Sequence, residues 1–422
     1  MRQHRWFRLV AAAGAFTLLA AACGDDDSDD ESSDTTEEEE ATPEAQPATD
    51  RLVMGRVLPE TGPLAFLGPP MLVGTDLAIE DINAAGGVMG QDVELLEGDE
   101  GETPQIARET VNRLLGDGAN VIIGAAASGS SQEFIATLSE NEIPQCSGAN
   151  TSSAFTDQEN ADFYFRTVPP DEAVAPIIAD RVIADGNANV AIVARADDYG
   201  NLLAGQVAEA LTAGGATVGE PIAYDPEAAT FDAEVSQVTG ANPDAVVLIA
   251  FDEGGQVVAG LIEAGIQPSQ VYGSDGVFGP TFVEQVDPSN ASIIDGMTVI
   301  GAAGNEEFNA RIAEPTDNNF IYGGQFYDCV IVSALAAEAA GSVAGPDIIA
   351  EVANVTSGGE KCTTFDECKT MLGEGTDIDY DGASGPLELD DVGDPKAATY
   401  AIGQFQDGGQ LTIVDSVDTE IG

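Results

Sequence analysis

Three observations predict an α/β fold in which two lobes are each built on a parallel sheet. Short apolar runs rich in Val and Ile alternate with longer stretches that carry apolar residues at helical spacing. This alternation stops at Pro169-Pro170, which we interpret as a hinge, and then starts again. The roughly 370 residues that follow the N-terminal region also exceed what one hydrophobic core usually organises.

The N-terminal residues 1–22 have the features of a secretory signal peptide. Three arginines precede an apolar segment, Leu9–Leu19, which is too short for a stable transmembrane helix. Cys23 follows three alanines, as in a bacterial lipobox, although Ala20 stands where leucine is usual. We therefore expect Cys23 to be lipidated and to anchor the protein on the outer face of the membrane. An ordinary cleaved signal followed by an unmodified cysteine is the alternative.

Residues 23–50 are expected to form a disordered acidic tether. This segment includes 13 acidic residues, whose charges repel one another. It has no aromatic or β-branched apolar residue, so it has little apolar surface to bury. The net charge of the whole chain is −60, and residues 51–422 hold 61 acidic against 11 basic side chains. This charge excludes nucleic acid as a partner. We interpret it as suited to a saline habitat, because salt screens self-repulsion.

The histidine and cysteine content limits which catalytic sites, metal sites and disulfides the mature protein can contain. The only histidine, His4, lies in the signal peptide, which excludes Ser-His-Asp triads, Cys-His pairs and His-ligated zinc from the mature protein. Outside the cytoplasm, the four cysteines after residue 23 favour disulfides. Cys362 and Cys368 flank a five-residue segment and are expected to pair. Cys146 and Cys329 would then bond to each other or remain buried thiols.

The elements follow from the apolar patterns in chain order. Before the hinge we predict strands at Leu52–Leu58, Asp92–Glu97, Val121–Ile123, Ile143–Cys146 and Phe163–Val168, and helices at Met71–Ala85, at Pro104–Leu115 and from Ser130. After it we predict strands at Val190–Ala194, Thr217–Ala223, Ala245–Ala250 and Val271–Ser274, and helices at Glu172–Ala184, Leu202–Ala213, Phe231–Val238 and Gly254–Ala264. A long helix at Phe326–Ala340 and short strands at Ala398–Phe405 and Leu411–Val414 come last, which indicates that the chain crosses between the lobes again.

The stretch Asn120–Thr151 carries the clearest functional signal. Two predicted neighbouring strands each end in a small polar turn, Ala125–Gly129 and Ser147–Thr151. Ligands of open α/β sheets bind outside the carboxyl ends of the strands, and a helix N-terminus there attracts anions. We therefore predict that these turns hold a small carboxylate without any positive side chain.

Eight segments together resemble one family. They are TGPLAFLG, DLAIEDINAAGGVMGQDVELLEGDE, VNRLLGDGANVIIGAAASGSS, IPQCSGANTS, FRTVPPDEA, RADDYGNLLA, VYGSDGV and SGPLELDDVGDP. They are similar to type I periplasmic solute-binding proteins of ABC importers, in the leucine/isoleucine/valine-binding branch. This resemblance implies two Rossmann-like lobes with parallel central sheets, joined by a hinge of three crossovers. It places the first lobe at 51–168 plus 302–399 and the second at 169–301 plus 400–422.

The resemblance also implies which residues bind the ligand. Ser128 matches a serine that donates to the ligand carboxylate, and Ala149 and Thr151 match groups that bind the main-chain ends of an amino acid. Tyr199 matches a tyrosine that folds over the ligand. Asp275 stands where the family has an acidic residue facing the α-ammonium, although it is one methylene shorter than the usual Glu.

Two further positions depart from the family pattern. Phe251 falls near a family tyrosine, so that hydroxyl is lost, and Leu67 replaces an aromatic residue at the pocket mouth, with Phe66 beside it. A hydroxyl-rich turn, an aromatic residue or one aspartate is individually more often structural than functional. Their joint fit to one zwitterion gives the prediction its weight.

By this resemblance the chain is a non-enzymatic, monomeric receptor without a cofactor. It would capture free amino acids, branched aliphatic ones above all, and deliver them to the membrane subunits of an ABC permease. The alternative is the same role for urea, short amides or another small carboxylate. A sensory ectodomain would need a membrane span and an output domain, and an enzyme would need a carboxylate-only mechanism. Neither is indicated by the sequence.

The segment 377–388 satisfies the EF-hand loop pattern, but we expect no metal there. The eighth place of a calcium loop requires an apolar residue, and Ser384 occupies it. Gly385-Pro386 would also prevent the exit helix. The same segment matches a closing loop of the binding-protein family that holds no metal.

Overall fold

The computed structural model describes residues 51–421. The predicted signal peptide at 1–22, the predicted tether at 23–50 and the predicted lipidation of Cys23 lie outside these residues. The described part of the chain thus begins directly after the predicted tether.

The first lobe is built on a five-stranded sheet in the order β2-β1-β3-β4-β5, with every pair parallel. Its strands are β1 (Val53–Leu58), β2 (Glu94–Asp99), β3 (Val121–Gly124), β4 (Gln145–Ser147) and β5 (Tyr164–Arg166), and its first helices are α1 (Gly68–Ala84), α2 (Pro104–Gly116), α3 (Ser128–Gln132) and α4 (Ile135–Glu140). Helix α2 buries Ala107, Val111 and Leu114, one stripe of a 3.6-residue period. All of β3 is buried, as expected for a central parallel strand.

The second lobe is built on a larger sheet in the order β15-β14-β11-β10-β9-β6-β7, with β8 paired beside β6. The chain enters it through α5 (Asp171–Ala184), β6 (Asn189–Arg195), α6 (Gly200–Ala213), β7 (Thr217–Val218), β8 (Ile222–Tyr224), α7 (Asp232–Ala241), β9 (Ala245–Ile249), α8 (Gly254–Glu263), β10 (Val271–Gly273), α9 (Phe282–Val286) and β11 (Thr298–Ala302). The pairs among β6 to β11 are parallel, whereas the edge beyond β11 is antiparallel.

The chain then returns to the first lobe before it ends at the edge of the second sheet. The remaining elements are α10 (Glu306–Ile312), α11 (Gly323–Ala340), α12 (Gly345–Val355), β12 (Glu360–Cys362), α13 (Phe365–Gly373), β13 (Ile378–Tyr380), β14 (Ala397–Gln406) and β15 (Gln410–Glu420). Helix α11 is buried from Gly323 to Ala337 and packs against α1, β3 and β4. Within residues 51–421 no single helix is long and apolar enough to span a membrane; only α11 and α12 together reach that length, bent by 108° at their junction.

The structure confirms the two-lobed α/β fold and most predicted elements. Three predictions were wrong in detail. The helix expected from Ser130 begins at Ser128 and is interrupted after Gln132, and the strand expected at Thr217–Ala223 is two short strands. The final two strands are not short, because they pair with each other as a long hairpin, β14 with β15.

Three chain segments connect the lobes. They follow β5, follow β11 and precede β14. Asn305, in the second segment, donates from Nδ2 to the Gly382 carbonyl (2.9 Å), and its backbone N–H donates to the Ala383 carbonyl (2.8 Å). Gln325 of α11 donates to the Ala303 carbonyl (2.9 Å). These contacts hold the crossovers together as a hinge, while the lobe boundaries implied by the family resemblance remain a prediction.

Asp328 of α11 anchors the loop beside this hinge. Its carboxylate accepts hydrogen bonds from Tyr380 Oη (2.7 Å), the Ala383 N–H (2.8 Å) and the Ser384 N–H (2.8 Å), and from the Ser384 hydroxyl. Burial raises the pKa of the Asp328 carboxyl to about 6, and these hydrogen bonds keep it from rising further.

This pKa predicts a pH-dependent stability. Because the pKa of Asp328 rises from 3.8 to about 6 on folding, the folded protein keeps a proton that the unfolded chain has released. The stabilisation is present below about pH 4, is lost as the pH rises to about 6, and amounts to roughly 3 kcal/mol. The difference in free energy of unfolding between wild type and Asp328→Asn should fall by that amount across this range. The variant Asp391→Asn, at an exposed position, should follow the wild type. A constant difference for Asp328→Asn would refute the assignment.

Candidate functional site

Two turns at the carboxyl ends of β3 and β4 are joined by side-chain hydrogen bonds. Asn150 Nδ2 donates to the carbonyls of Ala125 (3.1 Å) and Ala126 (2.9 Å). Ser147 Oγ donates to the Ala125 carbonyl (2.7 Å). These groups are buried, so each bond satisfies a carbonyl that water cannot reach. The two turns therefore form one rigid unit.

Arg166 supports this unit from below. It is fully buried and forms a bidentate ion pair with Asp394 (2.6 and 2.8 Å). Its Nη1 donates to the carbonyls of Asn150 (2.8 Å) and Ser152 (2.9 Å). Asp394 lies in the segment that leads into β14. The Arg166 side chain thus fixes the second turn to the third crossover.

The first turn presents Ser128 at the start of α3. Its backbone N–H is one of those that a helix leaves without an intrahelical partner, and its Oγ accepts a long hydrogen bond from the Ser152 N–H (3.4 Å). The Glu100 carboxylate fixes the two residues before Ser128, because it accepts hydrogen bonds from the N–H groups of Ala126 (2.8 Å) and Ala127 (2.9 Å). Burial raises the pKa of Glu100 to about 7, although these bonds oppose it.

Asp275 follows β10 in the opposite lobe and is buried at 3% exposure. Its Oδ1 accepts from Tyr199 Oη (2.5 Å) and from the Gly276 N–H (3.0 Å). Its Oδ2 accepts from the hydroxyl of Tyr322, which lies immediately before α11 with a left-handed φ of 60°. Because Tyr322 belongs to the first lobe, this hydrogen bond crosses the cleft.

A second acid, Asp171, lies close to Asp275. It is the first residue of α5 and is fully buried. The Thr151 hydroxyl lies beside its carboxylate, although not in normal hydrogen-bond geometry. Burial raises the pKa of Asp171 well above its usual range, and the neighbouring Asp275 raises it further. The pKa of Asp275 is also raised by burial, although the hydroxyls of Tyr199 and Tyr322 oppose this. The site therefore contains two interacting buried acids.

An aromatic pair forms one wall. The rings of Tyr199 and Phe251 stack with centroids 5.5 Å apart. The Arg195 guanidinium covers the Phe251 ring at 3.5 Å and pairs with Glu253 (2.9 Å), which also accepts from Tyr224 Oη (2.8 Å). Phe251 is thereby held in place by a buried charge network.

The turns, the acid and the aromatic wall surround one narrow cavity with a volume of about 20 Å³, so the closed lobes leave little free space between these groups. All seven residues predicted to bind ligand line it, namely Leu67, Ser128, Ala149, Thr151, Tyr199, Phe251 and Asp275. Leu64, Met71, Ala126 and Ala127 complete an aliphatic wall. The structure therefore brings the predicted residues together, and their contacts with a ligand remain a prediction. The cavity adjoins a wider chamber of about 280 Å³ on the Ser128 side, lined by Glu100 and Arg195 among others.

The lobes are in contact around this cavity. Ser152 Oγ donates to the Asp198 carbonyl (2.9 Å), and Gln206 Nε2 donates to Ser153 Oγ (2.7 Å). With the hydrogen bond from Tyr322 to Asp275, these bonds close the cleft from both sides of the cavity. The structure is therefore that of the closed form.

Sequence reasoning missed Asp171 and Tyr322. Asp171 lies in the segment FRTVPPDEA, and an acid at the first position of a helix directly after a predicted hinge is a signal that could have found it. Tyr322 had no such signal, because its place in the site depends on the return of the chain from the second lobe. At the calcium-like segment, Lys361 pairs with Asp379 (3.0 Å) and Asp381 (2.9 Å). Within residues 51–421 no group of three or more acidic or cysteine side chains is placed to hold a metal ion.

The fold and this cleft define a solute-binding protein, and comparison with known proteins gives the family. Residues 52–409 match the periplasmic binding protein family, to which the chain belongs. It is 29% identical to a Leu/Ile/Val-binding protein homolog 3 of Brucella melitensis over 54% of this chain and 61% of that protein. The alignment thus spans less than two thirds of that relative.

Two solved structures show the same fold. The branched-chain amino acid transporter substrate binding protein LivJ of Streptococcus pneumoniae, in complex with isoleucine, is 20% identical with a TM-score of 0.70, covering 88% of this chain and 99% of that one. A solute binding protein of an ABC transporter from R. palustris, in complex with benzoate, is 17% identical with a TM-score of 0.70, covering 88% and 98%. The shared fold therefore carries ligands with and without an ammonium group.

Proposed function

We propose that this protein is the extracytoplasmic substrate-binding component of an ABC importer and that it captures amino acids with branched aliphatic side chains. The observation that carries the proposal is the arrangement of the cavity. Small polar turns with helix-start N–H groups lie at one end, a buried acid lies at the other, and aliphatic side chains lie between them. A zwitterion with an apolar side chain matches each of these three surfaces.

The two ends of the ligand would be bound by opposite chemistry. The N–H and hydroxyl of Ser128, with the groups of Ala149 and Thr151, would donate to or orient the carboxylate. Asp275 would accept from the ammonium. Its carboxylate is already fixed by two tyrosine hydroxyls, so little ordering would be needed on binding.

The side chain would lie against the aliphatic wall. Leu64 and Leu67 come from the segment between β1 and α1, Met71 comes from the first turn of α1, and Phe251 closes the opposite side. Each buried methylene would contribute about 0.8 kcal/mol, so leucine, isoleucine and valine should bind more tightly than alanine or glycine.

The alternative of urea, short amides or another small carboxylate has one observation in its favour, the benzoate in a structural neighbour. The buried acid that lines the cavity, Asp275, counts against it here, because a ligand without an ammonium leaves this carboxylate without a positive partner. We therefore propose amino acids, and not these alternatives, as the ligands.

A thermal-stability screen tests the proposal. A one-site ligand at 100 times its Kd adds about 2.7 kcal/mol to the free energy of unfolding. We expect L-leucine, L-isoleucine and L-valine to raise the melting temperature, and D-leucine, urea, acetamide and benzoate to leave it unchanged. Stabilisation by an amide or by benzoate alone would favour the alternative. Recovery of unchanged leucine after binding would agree with a role that involves no catalysis.

Delivery would follow from closure. The closed lobes bury the ligand and present both of their surfaces in one fixed relation, which the membrane subunits of a permease can recognise. A lipid at Cys23 would keep the monomeric receptor near that permease on the outer face of the membrane, and the acidic tether would set its reach.

A further inference from the structure

The free space between the closed lobes lies mostly outside the cavity to which the proposed function assigns the ligand. That cavity has a volume of about 20 Å³, whereas the chamber beside it has a volume of about 280 Å³. Pro104 of the first lobe and Pro226 of the second both line the chamber, so its walls come together only in the closed form. The proposed contacts with a free amino acid leave this chamber unused.

The chamber adjoins the end of the cavity that lies away from Asp275. Five residues line both spaces and mark their junction, namely Leu64, Ala127, Ser128, Tyr199 and Phe251. Asp275, Leu67 and Met71 line the cavity but not the chamber. In the proposed arrangement the ligand ammonium lies at Asp275, and the side chain lies against Leu67 and Met71. The carboxyl end, at Ser128, is therefore the part of the ligand that faces the chamber.

The turn at Ser128 suits a neutral carbonyl group. The Glu100 carboxylate accepts from the N–H groups of Ala126 (2.8 Å) and Ala127 (2.9 Å), directly before Ser128, and it also lines the chamber. A ligand carboxylate at Ser128 brings a second negative charge to this turn, whereas the carbonyl oxygen of an amide accepts the same hydrogen bonds without a charge. An amide at the carboxyl end of the ligand therefore keeps the contact and removes the repulsion.

The side chains that line the chamber are mainly acidic where they are charged. Within residues 51–421 the only basic residue that lines it is Arg195, whose guanidinium pairs with Asp197 and Glu253. Six acidic residues line it, namely Glu100, Glu102, Asp197, Glu227, Asp252 and Glu253. A carboxylate that entered the chamber would face these charges, and like charges in contact weaken binding. The group that enters the chamber should therefore be neutral or cationic.

We infer that the closed cleft also takes amino acids extended at the carboxyl end, namely aminoacyl amides and short peptides that begin with an aliphatic residue, and that their second residue lies in the chamber. The ammonium, side chain and carbonyl of the first residue take the positions of a free amino acid. The rest of the ligand passes Ser128 and enters the chamber. The inference deepens the proposed function and rests on it, because the first residue uses the same contacts.

Ligands of different shape and charge test the inference by calorimetry with the mature protein. The measurements are made at pH 8, above the pKa of about 7 to which burial raises the Glu100 carboxyl. L-leucyl-glycinamide should bind at least as tightly as L-leucine. L-leucyl-L-aspartate, which brings carboxylates into the acidic chamber, should bind at least tenfold more weakly than L-leucyl-glycinamide. L-2-aminodecanoate, which is extended in its side chain instead, should bind at least tenfold more weakly than L-leucine.

The outcomes separate this inference from the proposed function. Binding of L-leucine without binding of L-leucyl-glycinamide would overturn the inference and leave the proposed function standing. Failure of both ligands to bind would overturn the proposed function and the inference with it. Tight binding of L-2-aminodecanoate together with loss of L-leucyl-glycinamide would show that the chamber receives side chains, which also overturns the inference.

A substitution in the chamber wall locates the second residue of the ligand. Glu227 is exposed on a loop of the second lobe and lines the chamber but not the cavity. Glu227→Trp should fill part of the chamber and weaken the binding of L-leucyl-glycinamide at least tenfold, while the affinity for L-leucine stays within threefold of wild type. Glu220→Trp, at an exposed position of the same lobe that lines neither space, should leave both affinities unchanged. Wild-type affinity of Glu227→Trp for L-leucyl-glycinamide would place the second residue elsewhere and overturn the inference.

Discussion

Replacing Asp275 by Asn is expected to weaken the binding of L-leucine by about a hundredfold or more. The substitution keeps the shape of the side chain but removes the charge that the ligand ammonium requires. Truncating one partner of a buried, hydrogen-bonded charge pair typically costs 2–5 kcal/mol, which corresponds to about 30- to several-thousand-fold in affinity. Isothermal titration calorimetry with the mature protein provides the measurement.

The thermal stability of the Asp275→Asn variant distinguishes loss of the contact with the ligand from loss of the folded structure. Without ligand, Asp275→Asn should melt at or above the wild-type temperature, because a buried ionisable group has been removed. Glu284→Gln, an exposed position in the same lobe, is the matched control and should bind leucine normally. A variant at 275 that keeps wild-type affinity within threefold would show that the ammonium is held elsewhere.

Removing the disulfide between Cys146 and Cys329 is expected to cost about 5 kcal/mol of the free energy of unfolding. The bond joins β4 to α11 across a sequence separation of 183 residues, and both sulfurs are buried. In the chain-entropy model, closing so long a loop in the unfolded state places the effect near the top of the usual range. The double variant Cys146→Ala with Cys329→Ala, unfolded in denaturant beside wild type, measures it.

The second disulfide provides an internal comparison. Cys362 and Cys368 are only six positions apart, so the same model gives roughly 2 kcal/mol for their bond. Removing this pair should therefore shift the denaturant midpoint less than removing the long-range pair. An equal or reversed order would show that native-state packing, and not the unfolded chain, determines the contribution of these bonds.

Much of the fold could be predicted from sequence because its signals are local. The buried run Val121–Ile123 and the helical stripe of α2 each define an element from a few adjacent residues. The sequence does not decide whether Cys146 and Cys329 form a disulfide or remain two thiols, because a separation of 183 residues gives no local signal. The break in the helix after Gln132 has no local sequence signal either.

The site was predictable to the extent that its residues belong to recognisable segments. Ser128, Thr151 and Asp275 lie in strand-end turns, and the structure places them around one cavity. Asp171 and Tyr322 escaped because their importance depends on burial and on a partner far along the chain. Physical reasoning from sequence finds groups that a turn presents, but it does not find a buried group whose partner lies far along the chain.

Four distinct structural contacts are made within about two turns at the start of helix α11. The residue before it contacts Asp275, Gln325 holds a crossover, Asp328 anchors the adjoining loop, and Cys329 carries the long-range disulfide. A substitution that shifts this helix would disturb recognition, hinge and stability at once. Laboratory evolution toward new substrates should therefore leave α11 unchanged and accumulate substitutions at Leu64 and Leu67, where the cavity wall is formed by a connection that carries no such additional constraints.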